Sequence, residues 1–351
     1  MPNLDELCKQ QYVPHFMRIY DNWNGYAHIA YDKSSDITGI NSKYDLDMYN
    51  TILFVGMGGS ATAGEIASTV LEGSRVRCRV LKGSNLIDNI DRNTLVIAAS
   101  VSGNTYETIQ VVKSCHKRGI DTITLSSGGK LESLSRSEGS LHVSIENLGA
   151  PRISLPCLVY PILNIVKAIE PRIGDQIKSS LKSLDELAAS ICSSISLKNN
   201  NAKQLASFLE KAMIPICYYS SSMGPIGIRF KNSLNENSKM HAICEDIEEA
   251  CHNSIVPFSY QDADRYGVVL LRSRQDHGVL SARFDALKEF LMSKGIRTCE
   301  LFGLGDTLLA NIMTTVYLLD YTTVYLAFLK GHDPTLTPAI DRIKKAMESH
   351  Y

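Results

Sequence analysis

Residues 51–61 read TILFVGMGGSA and residues 95–105 read LVIAASVSGNT. Each begins as a short run of apolar and β-branched residues, then breaks at once into glycine, serine and threonine. Such a run, too short for a helix, reads as a strand buried on both faces, and small residues at its end allow a sharp turn into a helix. Working outward, Ala61–Leu71 carries a helix pattern after the first turn, and Val76–Leu81 is a second strand. Tyr106–Arg118 is the helix after the second turn, followed by strands at Thr122–Leu125 and Leu141–Ile145. Strands alternating with helices of about 10–15 residues predict a parallel α/β sheet with helices on both faces.

The rest of the chain repeats the theme. The first ~45 residues are a helical lead-in, with Leu4, Leu7, Tyr12, Phe16 and Ile19 at helix-like spacing. Leu155–Ile169 opens a helical stretch reaching about Leu197, and the polar, asparagine-rich Ser196–Lys203 is the candidate linker. Beyond it come the strand Ile214–Tyr219, the loop Ser220–Gly224, a helix over Ile226–Asn237, the strand Val268–Leu271, the helix Ser281–Lys294 and the strand Thr298–Leu301. The expected architecture is two doubly wound parallel-sheet domains, each an αβα sandwich, over residues 1–195 and 204–351, plus C-terminal helices.

Composition excludes several classes of function. The 351 residues carry 36 Lys+Arg against 37 Asp+Glu, a net charge of −1, which offers neither a polycationic nucleic-acid surface nor an acidic tail. With 44% hydrophobic and 21% charged residues the chain is ordinarily globular. Nine cysteines without a CxxC pair read as reduced thiols of a cytoplasmic protein rather than a disulfide framework. The opening MPNLDELCKQ lacks the apolar core of a secretory signal. Leu308–Leu329 imitates a membrane span, but Asp320 at its centre would be costly in a bilayer, so a helix buried in the protein is expected.

Two chemistries compete for the first loop. GMGGSA at 56–61 satisfies a G-x-G-x-x-A dinucleotide pattern, yet the second strand ends Leu81-Lys82-Gly83, without the acid that would hold a ribose. Phosphate fits better because the loops come as a pair. Ser60 starts one helix, while Ser100, Ser102 and Thr105 sit where the next begins. Hydroxyls and backbone N–H groups at helix N-termini converge on an anion without needing Lys or Arg.

Gly58-Gly59-Ser60 and Ser100-Val101-Ser102-Gly103-Asn104-Thr105-Tyr106-Glu107-Thr108 resemble the two phosphosugar loops of sugar isomerase (SIS) domains. Within those, the chain is most similar to the bifunctional phosphoglucose/phosphomannose isomerases, mostly archaeal. The supporting segments are Ala150-Pro151-Arg152, Lys231 to Lys239 (KNSLNENSK), Cys251-His252-Asn253, and Asp320-Tyr321, Asp333-Pro334 and Lys344 in the tail. Moving a proton between C1 and C2 of a sugar needs a carboxylate base, a group to steady the enediolate oxygen and an acid–base pair for ring opening. Glu236, between Asn235 and Asn237 on a helix after a strand, suits the base, and the resemblance assigns it that role. The resemblance further implies Arg152 for the enediolate, His252 and Lys344 for ring opening, Gly59 with the serines and Thr105 for phosphate, and Thr337 for accommodating the mannose epimer.

It also implies a cis-enediol route with neither cofactor nor metal, and a homodimer in which the partner chain supplies His252 near the interface. The partner is then a small sugar phosphate, not nucleic acid or membrane. Where the family pattern reads Asn-His-Asn-Glu, this chain has Cys251-His252-Asn253-Ser254. Two rivals stand beside this reading. His241, Cys244, Cys251 and His252 are four soft ligands in twelve residues, but their spacing is poor for zinc, and a strand over Met240–Cys244 would send His241 and Cys244 to opposite faces. A non-catalytic phosphosugar sensor would keep both loops but would have no need of Glu236, His252 and Lys344.

Overall fold

A computed structural model describes residues 4–9, 14–35, 40–85, 90–260 and 262–347; Tyr12 of the helical lead-in lies outside these. The chain forms two compact units, Trp23–Leu181 and Met1–Asn22 with Lys182–Tyr351.

The Trp23–Leu181 unit is built on five parallel strands: β1 (Thr51–Val55), β2 (Arg77–Leu81), β3 (Thr94–Ala99), β4 (Thr122–Ser126) and β5 (Leu141–Ser144). Their order is β2-β1-β3-β4-β5. β3 is buried at all six positions and β1 at four of five, as expected of apolar runs covered on both faces. Leu53, Val55, Val96 and Ala98 pack with Val111, Val112 and Cys115 of the Tyr106–Arg118 helix. Helices at Gly59–Val70, Gly129–Ser137, Pro156–Ile169 and Trp23–Ser35 complete the layers. The strand order reverses between β1 and β3, and a doubly wound sheet binds ligands beyond the carboxyl ends at such a switch point.

The second unit has four parallel strands, β6 (Ile214–Tyr219), β7 (Ile243–Asp246), β8 (Tyr266–Arg272) and β9 (Arg297–Phe302), in the order β7-β6-β8-β9. With β6 in the place of β1, this is the order of the first four strands of the other unit, so the expected duplication holds at the level of topology. One face is packed by Ile247, Phe258, Phe284, Leu287 and Leu291 against Ile216, Tyr218, Val268 and Leu270.

The Leu308–Leu329 helix is buried from Leu309 to Phe328 and packs on the helices Asn201–Glu210 and Gly224–Ser233. Its central Asp320 is 1% exposed and is met by Arg229, Nε to Oδ2 3.1 Å, and by the Ser233 hydroxyl at 2.9 Å. The acid that argued against a bilayer is thus neutralised inside the protein. On the same helix Tyr317, Tyr321 and Tyr325 stack in a row. Tyr317 donates to the Tyr20 carbonyl and Tyr321 to Asp21, which ties the N-terminal residues into this unit.

Ser196–Lys203 is not a linker. Asn200 caps the Asn201–Glu210 helix, accepting from Lys203 N at 3.0 Å, and its amide donates to Ile191 O and Cys192 O. The Lys203 ammonium, itself buried, donates to Asp5 at 2.7 Å and to Ser193 O and Ile195 O. Polar residues are buried here because every donor finds an acceptor. The division between units falls instead within the Ile173–Ile191 helix and at Asn22/Trp23.

Candidate active site

In the Trp23–Leu181 unit, Val55 of β1 stands in register with Ala98 of β3, so the two loops leave the sheet side by side. A Cβ at Gly56 would lie 2.9 Å from Ser60 C, which makes this the tight turn. A Cβ at Gly59 would meet Pro151 O at 3.1 Å and Arg152 Cα at 3.8 Å. Gly59, at the N-terminus of its helix, and the buried Arg152 are therefore brought together. Ser60 follows in the first helical turn, 6% exposed. Gly58 caps that helix at φ 54 with no side-chain cap, so the first turn gets no hydroxyl or carboxylate of its own there.

The second loop is organised by its own hydroxyls. Ser100 Oγ lies 2.8 Å from Thr105 Oγ1 and accepts from Gly103 N at 3.1 Å, while Ser102 Oγ accepts from Asn104 N at 3.2 Å. Thr105 is the N-cap residue of the Tyr106–Arg118 helix, but its hydroxyl makes no cap bond, being turned to Ser100.

A third loop, Ser126-Ser127-Gly128-Gly129, braces the second and was missed from sequence. Ser127 donates from Oγ and N to Val101 O, Lys130 N donates to Asn104 Oδ1, and Leu131 N donates to Gly103 O. Its signal was present: it is one more strand that breaks into small residues before a helix. The contact is closest at Gly103, φ 68, where a Cβ would stand 1.8 Å from Gly128 O. Gly103→Ala must displace one backbone or the other, a strain of about 1–3 kcal/mol. Binding of inorganic phosphate, read by calorimetric titration, is expected to weaken by about tenfold; unchanged affinity would separate this loop from anion binding.

In the second unit, Glu236 lies half-buried on a single π-helical turn, Leu234–Ser238, that continues the Gly224–Ser233 helix. Such turns recur at functional sites because the extra residue redirects a side chain. The turn is anchored to the long helix on both sides of Glu236. Asn237 Nδ2 donates to Thr323 Oγ1 at 2.9 Å and Ser238 Oγ to Thr323 O at 2.7 Å, while Ser233 and Arg229 bind Asp320. Burial works against the Arg229 charge, but the Asp320 carboxylate outweighs it and holds the guanidinium above its ordinary value.

Lys239 ends the turn and donates to Leu336 O at 2.7 Å, bringing Thr337, the next residue, onto the Glu236 segment. The Thr337 carbonyl accepts from Ile340 N and Asp341 N and so opens the Pro338–Met347 helix, which carries Lys344. That helix is exposed along its length. His252 is also exposed, in the turn after the short Ile247–Ala250 helix, with its N donating to Glu249 O. Thr337 is thus tied to the Glu236 segment through Lys239, whereas His252 and Lys344 lie on exposed stretches of their own. Ser254, where the family pattern has glutamate, lies 3.3 Å from the phenol of Tyr218, which burial raises to about 12.

The soft-ligand rival is not assembled. β7 begins at Ile243, so His241 is outside the strand that was expected to carry it, and no group of three His, Cys, Asp or Glu is gathered among the described residues. Burial raises the Cys244 and Cys251 thiols, which favours the neutral form over the thiolate a metal would take.

Residues 46–146 match the family described as the SIS domain, and residues 198–347 match the bacterial phospho-glucose isomerase C-terminal SIS domain. A bifunctional phosphoglucose/phosphomannose isomerase of Aquifex aeolicus is 30% identical over 309 residues, covering 87% of this chain and 93% of the relative. One from Caldicellulosiruptor bescii is 30% identical over 325 residues, covering 91% and 94%. Among solved structures, a hypothetical protein of Thermus thermophilus superposes with a TM-score of 0.79 at 15% identity, covering 99% of this chain and 94% of that one. At that identity the likeness is one of fold.

Proposed function

We propose, since the chain belongs to the bifunctional phosphoglucose/phosphomannose isomerase family, that it interconverts glucose 6-phosphate and mannose 6-phosphate with fructose 6-phosphate. Ser60, Ser100, Ser102 and Thr105, with the backbone of Gly59, take the phosphate. His252 and Lys344 open the ring. Glu236 removes the proton from C2 of the aldose, forming a cis-enediol, and returns it to C1 to leave the ketose; the reverse path starts at C1. Arg152 steadies the developing oxyanion. Thr337 leaves room for either configuration at C2.

The observation that carries this reading is the pair of hydroxyl loops at the switch point of one sheet, with Arg152 against the first of them. Glu236, on an anchored irregular turn, supplies the base that a mere binding module does not need. The acid–base and oxyanion roles are all filled by side chains, so the reading calls for no cofactor or metal. It extends to a cytoplasmic homodimer in which His252 acts across the interface. Support for that comes from the exposed apolar residues beyond His252, Val256 at 57% and Tyr260 at 84%.

The test is the purified chain with fructose 6-phosphate. Formation of both glucose 6-phosphate and mannose 6-phosphate, undiminished by a chelator, by a protein that sediments as a dimer, is the expected result. Phosphosugar binding without turnover would instead make the chain a sensor.

A further inference from the structure

We propose that Lys239 is a positioning residue, whose side chain holds the segment bearing Glu236 against the segment bearing Thr337 and, through it, the helix bearing Lys344. The inference deepens the isomerase reading and rests on it. Lys239 stands where the π-helical turn closes: its own N–H and that of Met240 both return to the Leu234 carbonyl. The residue at such a closure takes a left-handed backbone, and Lys239 has φ 57°, the one positive φ outside glycine among the described residues. Glycine is the usual occupant, because any Cβ there is strained.

The lysine therefore stands at a cost to the backbone, and its side chain is what it offers in return. The ammonium donates to the Glu236 carbonyl within the turn and to the Leu336 carbonyl, 97 residues further along the chain. Leu336 lies in a short ordered passage. Asp333 Oδ1 accepts from Thr335 N and Oγ1 on one side, and Thr337 starts the exposed final helix on the other. The groups assigned to proton transfer, to the C2 epimer and to ring opening are thus linked through one ammonium. A lysine serving only as a favourable charge at a helix C-terminus would have no need of the distant carbonyl.

Three variants separate these roles. Lys239→Gly relieves the backbone and removes the tether, Lys239→Met removes the tether alone, and Lys239→Arg keeps a donor of similar reach. Lys239→Gly is expected to unfold at or above the wild-type temperature, yet to lose about tenfold or more in kcat on fructose 6-phosphate. That is the scale expected when a catalytic group shifts by a fraction of an ångström. KM should change by less than about threefold, because the loops proposed to grip phosphate lie in the other unit. The ratio of mannose to glucose product should shift by about threefold or more, and Lys239→Arg should restore most of kcat. Wild-type kcat and product ratio in Lys239→Gly overturn the inference, as does a kcat loss that only tracks thermal stability across the three variants. A wild-type chain that isomerises nothing overturns the isomerase reading and this inference with it, and shows itself before any variant is made.

Discussion

Glu236→Gln is expected to lower kcat for fructose 6-phosphate by about 10²–10⁴-fold, the usual contribution of a positioned general base. Glutamine keeps the size of the side chain and its capacity to hydrogen-bond, but it cannot accept the sugar proton. KM and the affinity for inorganic phosphate should stay near wild type, because hydroxyls and backbone N–H groups of the other unit are assigned to the phosphate. Exchange of the C1 and C2 protons with deuterated water gives a second readout, since the base must hold the proton between its removal and its return. Loss of exchange in step with loss of turnover is the expected pattern. More than a tenth of wild-type kcat remaining in the glutamine variant would move the base elsewhere. The turn is held by hydrogen bonds of the Asn237, Ser238 and Ser233 side chains, and its framework keeps these bonds when the Glu236 carboxylate is changed.

Asp320→Ala should bring the largest loss of stability, about 3–5 kcal/mol. The Arg229 side chain is 4% exposed and that of Asp320 1%, so removing the carboxylate leaves a buried guanidinium without its counter-charge and the Ser233 hydroxyl without its acceptor. Urea unfolding followed by circular dichroism would measure it. The double substitution Arg229→Met with Asp320→Leu should recover much of the loss, because an apolar pair of similar volume needs no desolvation of charge. If the single variant loses less than about 1 kcal/mol, the pair carries little of the packing between the Gly224–Ser233 helix and the long helix.

Much of this was legible in the chain. Thr51–Val55, Tyr106–Arg118, Ile214–Tyr219 and Leu308–Leu329 are found with the expected bounds. Apolar runs that end abruptly in small residues, and an apolar helix broken by one acid, announce themselves locally. The Gly129–Ser137 helix did not, because GKLESLSRS buries only Leu131 and Ser135 and has almost no apolar stripe to read. The segment Ser196–Lys203 misled in the opposite direction: its polarity suggested exposure, whereas Asn200 and Lys203 are buried among carbonyls distant in sequence or adjacent through turns.

Of the proposed site, the residue types and their order were readable, but the π-helical turn at Glu236 was not. A helical period of 3.6 and one locally widened turn give the same pattern over five residues, and the backbone bonds that close on the Leu234 carbonyl tell them apart. Which stretches share a unit was equally hidden. The association of residues 1–22 with residues 182–351 depends on side chains such as Tyr321 and Asp21, 300 positions apart, and no local period records it.

That last arrangement bears on how the protein is made. A ribosome delivers the chain in the N-to-C direction, so the helices before Trp23 emerge well ahead of their partners in residues 182–351. The Tyr20 carbonyl must wait for Tyr317, and Asp5 for Lys203. Meanwhile Trp23–Leu181 is complete once Leu181 has left the exit tunnel, and its sheet needs nothing that comes later. The early helices are therefore born as orphans, with Phe16, Ile19 and Tyr20 destined for burial but temporarily bare. Synthesis at about 5–20 residues per second leaves them uncovered for many seconds. Residues 4–21 are made before the Trp23–Leu181 unit but settle after it, and in the interval the nascent chain is most open to wrong partners.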